Sequence, residues 1–261
     1  MLRSMYAGVA GMKGFQTKLD VIGNNIANVN TIGFKKSTIN FQDLLNQNLS
    51  SNGVNPMQVG LGATTAAINL IHTPGASMTT GVNSDLSVIG DGFFVVQSPT
   101  AKAPDGQYLT RAGNFIVESD GDLVTPQGYN VLKSDGTKIN IDPTKYESFT
   151  IDRMGEIKAK STTTGLVEPL GFVGIASPSN PSGLRKFGGS LFELTENSGP
   201  GPIGKAADRK TELGSGMLEM SNVDLTEEFT EMIIAQRGFQ ANSRTITTSD
   251  EILQEVVNLK R

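Results

Sequence analysis

The sequence predicts an α+β chain: long N- and C-terminal helices that form a coiled-coil-like hairpin, with an inserted antiparallel all-β domain. Three observations predict it. Apolar residues recur every seven positions at both ends, Asp-Gly pairs punctuate the middle, and stretches rich in Asn, Gly, Ser and Pro separate the two textures.

The first element is a helix within residues 1–34. Met5, Met12, Leu19 and Ile26 fall seven apart, and Phe15, Ile22 and Val29 lie three residues after the last three of them. A seven-residue repeat keeps one stripe of a helix turned toward a partner helix. Gly8, Gly11, Gly14 and Gly23 interrupt the pattern, each costing about 1 kcal/mol relative to Ala in a helix interior. Such a segment needs neighbours to be helical, and its small residues let a neighbour approach closely. The stripe ends in Asn24-Asn25-Ile26-Ala27-Asn28-Val29-Asn30. Buried amides must find hydrogen-bond partners, in an array from other copies; alternatively these residues cap and turn the chain.

Residues 35–84 read as a connector. Over 85–200 the Asp-Gly pairs at 91–92, 105–106, 120–121 and 135–136 alternate with β-prone runs such as Phe93-Phe94-Val95-Val96 and Asn114-Phe115-Ile116-Val117. Asp-Gly supplies the positive φ of tight hairpin turns, which predicts an antiparallel β domain with further strands near 148–160, 166–176 and 190–195. A second connector covers 201–222. The last element, 223–261, is a helix with Leu225, Met232, Phe239, Ile246 and Leu253 seven apart and Phe229, Ala235, Val256 and Val257 beside them. Asp224 followed by Glu227 is a capping-box start. The same periodicities would also serve two amphipathic helices packed on an ordinary core.

Composition narrows the function. The 22 basic and 26 acidic residues give a net charge of -4, which argues against a nucleic-acid-binding face. With no cysteine, thiolate zinc sites, disulfides and thiol nucleophiles are excluded. The N-terminus carries no signal-peptide core, so export would need a route that does not cleave one. His72 is the sole histidine; neither a catalytic triad nor a histidine pair for a metal can be built on it. Gly60-Leu61-Gly62 and Gly90-Asp91-Gly92 complete no phosphate loop or dinucleotide fingerprint. Asp120 and Asp122 could serve glycoside hydrolysis, but with no Trp and four Tyr the aromatic platforms of a carbohydrate site are scarce. The expectation is a protein that is not an enzyme, with no catalytic, cofactor-binding or metal residues and no small-molecule substrate.

The run Asp20-Val21-Ile22-Gly23-Asn24-Asn25-Ile26-Ala27-Asn28-Val29-Asn30-Thr31-Ile32-Gly33-Phe34-Lys35 resembles the N-terminal signature of flagellar rod and hook proteins. Met220-Ser221-Asn222-Val223-Asp224-Leu225, followed by Met232-Ile233-Ile234-Ala235-Gln236-Arg237, resembles their C-terminal signature. Gly90-Asp91-Gly92-Phe93-Phe94 and Tyr108-Leu109-Thr110-Arg111-Ala112-Gly113-Asn114-Phe115 fit between them. The resemblance implies an axial subunit of the bacterial flagellum, exported uncleaved by the flagellar type III apparatus and polymerised into a hollow helical tube. Terminal helices would line its inner wall and the β domain its outer layer. Met5, Met12, Phe15, Leu19, Ile22, Ile26, Leu225, Phe229, Met232, Phe239, Ile246 and Leu253 are then the expected subunit-interface residues. Asn24, Asn25, Asn28, Asn30, Gly33 and Phe34 belong to the family motif. Phe41 and Leu45 match an export motif, or an amphipathic turn. Implied partners are copies of the chain, neighbouring rod, hook-cap and hook–filament junction proteins, and the export apparatus; nucleic acid is not among them. The wording at Ile22–Ile26 and the ending Val256-Val257-Asn258-Leu259-Lys260-Arg261 look more like short Gram-positive hook proteins, with a distal rod subunit the alternative. A surface carbohydrate- or calcium-binding β module is a remote third reading.

Overall fold

Helix α1 spans Leu2–Ala27 and helix α2 spans Leu225–Leu259. At 1.5 Å per residue the 35 residues of α2 make a rod roughly 50 Å long. The computed structural model describes residues 2–50, 57–99, 106–162, 165–209 and 211–259. They divide into two compact units. One comprises Met1–Asn28, Lys36–Ile71 and Val223–Arg261; the other comprises Val29–Lys35 and His72–Asn222.

In the helical unit α1 and α2 lie side by side and antiparallel. Gly8 faces Thr245 and Ile246, Gly11 faces Asn242, and Phe15 lies against Gly238. Glycine is what lets them close up. A Cβ on Gly8 would sit 3.0 Å from Thr245 Oγ1, one on Gly11 3.0 Å from Asn242 Nδ2, and one on Gly238 2.5 Å from the Phe15 ring. Gly14 meets the Phe41 ring in the same way, at 2.9 Å, whereas Gly23 faces open space.

The face of α2 turned to α1 is lined mainly by small and polar residues. Glu228, Ala235 and Ser249 are buried, in line with Gly238, Asn242 and Ile246. Leu225, Phe229 and Phe239 are exposed. Glycines on α1 leave too little room for large side chains, so small and polar residues fill the seam instead. The helix start is also simpler than a capping box. The Asp224 carboxylate accepts from the N–H groups of Thr226 (2.8 Å) and Glu227 (3.4 Å), and these bonds hold its pKa below the usual carboxylate value. The Glu227 carboxylate instead accepts from Lys36 Nζ at 2.7 Å.

The segment 35–84, expected as a connector, carries paired strands. Ser37–Asp43 pairs antiparallel with Ala63–Leu70, with a bulge between Asn40 and Phe41, and Asn46–Ser50 pairs with Met57–Gly60. Ser37–Asp43 and Ala63–Leu70 are exposed or half-buried at every position, so they lack the buried apolar face by which strands are read from sequence. Phe41 is the exception: its ring packs against Phe15 with centroids 6.0 Å apart.

The second unit is β-rich and antiparallel throughout its described pairings. A nine-stranded sheet runs in the order Arg185–Gly188, Leu191–Glu193, Gln107–Thr110, Phe93–Gln97, Asn130–Val131, Leu123–Val124, Ile116–Val117, with Ile175–Ala176 and Ile203–Gly204 joined to its side. Tyr146–Ile151, Glu156–Ser161 and Val167–Phe172 form a three-stranded sheet. Phe93–Gln97 is central and buried along its whole length, as its unbroken apolar run requires. Phe94 meets Phe115 edge to face at 5.1 Å, within a core that includes Leu86, Val96, Leu123, Ile139, Ile157 and Ile175.

The predicted turns hold at Gly121 (φ 85) and Gly136 (φ 74), and Gly106 also has positive φ; Asp105 lies outside the described residues. At 90–92 it is Gly90, with φ 116, that takes the left-handed conformation. Gly92 is small for another reason: its Cβ would meet Ile175 at 2.7 Å. The second expected connector, 201–222, carries strands Glu212–Ser215 and Met217–Glu219, which pair with Leu86–Ile89 and Ser77–Thr79. The β unit therefore reaches beyond 85–200 at both ends.

Candidate functional site

Two features stand out, one in each unit. In the helical unit, Asn25 is buried near the end of α1. Its Nδ2 donates to the Ser37 carbonyl (2.9 Å) and to Glu228 Oε2 (3.2 Å), while its Oδ1 accepts from the Ser37 N–H (3.0 Å). One amide thus fastens the strand beginning at Ser37 and the first turn of α2 to α1. Burial pushes the Glu228 pKa up, and the bond from Asn25 opposes the shift. Lys18 bonds Glu231 from the neighbouring turn.

The other motif amides are disposed differently. Asn24 and Asn30 are exposed, and Asn28, half-buried, donates from its side chain to the Asn24 carbonyl at 2.8 Å as a local turn. Asn25 thus finds its partners within its own chain, and Asn28 makes a local turn. Of the predicted interface residues on α1, Ile22 is buried and Met5, Met12, Phe15, Leu19 and Ile26 are half-buried. On α2, Met232, Ile246 and Leu253 are half-buried.

Several large apolar side chains of α2 are left uncovered. Leu225, Phe229, Ile233, Ile234, Ile252 and Val256 are all at least 40% exposed. Tyr6 and Val9 of α1 are likewise exposed, at 72% and 51%, and uncovered apolar side chains in this number are of the kind that marks protein–protein contacts. Phe41 is partly exposed in its strand, and Leu45, 82% exposed, lies between two strands.

In the β unit a buried charge cluster brings together three stretches far apart in sequence. The Glu219 carboxylate accepts from Lys35 Nζ and the Gly75 N–H (3.0 Å) on one oxygen, and from Arg111 Nη1 (3.2 Å) on the other. Its own carbonyl accepts from the Gly33 N–H at 2.8 Å. Lys35 also donates to the Thr73 carbonyl (2.7 Å), and Arg111 Nη2 to the Gly90 carbonyl (2.8 Å). All three charged side chains are at most 2% exposed. Burial pushes the Lys35 pKa down against the pull of Glu219.

Motif residues Gly33 and Phe34 owe their identity to this place. Gly33 has φ 67, and a Cβ there would lie 2.5 Å from the Ala112 nitrogen. The Lys186 ammonium sits 4.6 Å over the Phe34 ring.

His72 lies beside the cluster, edge-on to Phe93 and Phe192 at 5.5 and 5.7 Å. Its pKa is lowered to about 4 by burial and then by the charges of Lys35 and Arg111. Neither ring nitrogen has a hydrogen-bond partner among the described residues, although the Pro181 backbone nearby favours the charged ring. The charge cluster joins three chain segments through the Glu219 carboxylate. Sequence reading missed Arg111 and Glu219 because a lone charge in a motif looks like solvated surface. The available signal was their position inside or next to the motifs at 108–115 and 220–225.

The comparisons with known proteins cover the same stretches. Residues 5–35 match the flagella basal body rod protein family, residues 87–159 the flagellar hook protein FlgE/F/G D1 domain, and residues 215–259 the flagellar basal body rod FlgEFG protein C-terminal family. The flagellar basal-body rod protein FlgG of Bacillus subtilis is 49% identical over 276 aligned positions, covering 100% of both chains. In Borreliella burgdorferi, the rod protein FlgG is 37% identical over 274 positions and the flagellar hook protein FlgE 30% identical over 446, each with full coverage of both chains.

Proposed function

Because the chain belongs to the family of flagellar basal-body rod and hook proteins, and is an axial structural subunit of the flagellum, we propose that it builds the distal rod. Relative lengths carry this reading. Rod relatives align over 274–276 positions, close to the 261 residues of this chain, whereas the hook relative needs 446. The hook relative therefore carries a large segment for which this chain has no counterpart. That weighs against the hook assignment suggested by the wording near Ile22–Ile26 and at the C-terminus.

In this reading α1 and α2 form a coiled-coil-like hairpin that stacks with copies of itself into a tube. The exposed stripe of α2 supplies the contact, with Leu225 and Phe229 at its N-terminal end. A contact between unlike patches that does not close into a ring extends as a helical polymer. Covering those residues adds order to the end helices, and loosely held ends suit passage through a narrow export channel. Phe41 and Leu45 would engage the export apparatus. Other neighbours would be the adjacent rod, hook-cap and junction proteins.

The test is to delete the gene and to purify hook–basal bodies from cells carrying a tagged copy. A rod subunit is expected to leave cells without hooks when deleted, and to be found in the basal body inside the cell envelope. Tag found along the external hook would restore the hook assignment, and normal flagella after deletion would end both.

A further inference from the structure

We infer that the buried Lys35–Glu219–Arg111 cluster is a clasp gathering the segments by which the chain enters and leaves the β unit, and that Glu219 is the positioning residue through which this unit takes up axial load. The load part of the inference rests on the axial role proposed above; the clasp itself rests on geometry alone.

The chain passes between the two units four times, after residues 28, 35, 71 and 222. Within the β unit, the segments next to these crossings converge on one carboxylate. Segment 29–35 is held through the Lys35 ammonium, on that carboxylate, and the Gly33 N–H, on the Glu219 backbone carbonyl. The segment starting at His72 is held through the Thr73 carbonyl, on Lys35, and the Gly75 N–H, on Glu219. The segment ending at Asn222 contains Glu219 itself, and the Asn222 amide donates to Thr73 Oγ1 at 3.0 Å. Arg111 then fixes the cluster to the body of the unit through the Val88 and Gly90 carbonyls.

Residue chemistry explains why a carboxylate occupies this place. It accepts several hydrogen bonds on two oxygens, so one side chain can hold donors from separate segments. Charge-assisted bonds are short and directional, and excluding water strengthens them. Apolar packing is non-directional and resists sliding of one segment past another far less. The segments also approach too closely for larger side chains: a Cβ on Gly75 would lie 2.0 Å from the Met220 carbonyl oxygen.

The decisive experiment is amide hydrogen exchange on the purified full chain carrying Glu219→Gln, with Ile157→Val, a core change away from the cluster, as control. In the Gln variant, exchange in 29–35 and 72–77 should quicken about tenfold or more while Phe93–Gln97 keeps its protection, the signature of local release. Unchanged exchange in those two segments would overturn the clasp, and so would a parallel rise in Phe93–Gln97. Cells carrying the same variant should swim normally in dilute medium and lose speed in viscous medium, unlike the Ile157→Val control. Wild-type swimming in viscous medium despite local release would overturn the load role. Normal swimming after loss of the whole gene would instead overturn the rod reading, on which the exchange measurement does not depend.

Discussion

At the residue scale, His72 shows how a buried group can report on its surroundings. Its pKa of about 4 in the folded chain, against an ordinary 6.5, means that between these values the unfolded chain binds the extra proton. The contribution to stability is complete above about pH 6.5 and is lost as pH falls toward 4, at no more than about 1.4 kcal/mol per pH unit. Replacing it by a ring that cannot titrate should remove that dependence. His72→Phe is expected to keep the edge-on contacts with Phe93 and Phe192 and to flatten the stability curve over pH 6.5–4.5. Urea unfolding at a series of pH values checks this, and parallel curves for both proteins would contradict the burial described here.

At the element scale, the glycines of the helix pair divide into two kinds. Gly23 faces open space, so Gly23→Ala should gain helix propensity at no packing cost and stabilise the helical unit by about 1 kcal/mol. Gly238 touches the Phe15 ring. Gly238→Ala gains the same propensity, but overpacking costs typically 1–3 kcal/mol, and the net effect should be destabilising. Thermal melts followed by helix circular dichroism distinguish the two; equal shifts for both would mean that the helices do not approach as closely as described. The same packing explains why the α2 seam is made of Glu228, Ala235, Gly238 and Asn242, with the larger apolar residues turned outward.

At the scale of the whole molecule, the exposed apolar residues Leu225, Phe229 and Ile233 of α2 belong to the assembly surface of the proposed function. Phe229→Asp and Ile233→Asp change residues that are 51% and 59% exposed, so the isolated chain should unfold within about 0.5 kcal/mol of the wild type. Incorporation into basal bodies should nevertheless fail. Sedimentation, unfolding and recovery of the protein from purified basal bodies provide the three readings. Ile246→Asp is a poorer probe of assembly, because Ile246 lies against Gly8 within the same chain, and its replacement would disturb the helix pair as well.

The sequence by itself determined the two terminal helices, the antiparallel β middle and the family. These features depend on periodicity, turn chemistry and motif order, which are local along the chain. It did not disclose the pairings of Ser37–Asp43 and Asn46–Ser50, which lie in a segment rich in Asn, Gly and Ser. Nor did it disclose which face of α2 meets α1. That choice depends on how closely two backbones approach, and only the placement of Gly8 and Gly11 against Asn242 and Thr245 decided it. The joining of Lys35, Arg111 and Glu219 was likewise decided by tertiary structure. An isolated charge is indistinguishable from a solvated one until the fold removes water from around it and supplies its partner from a distant segment.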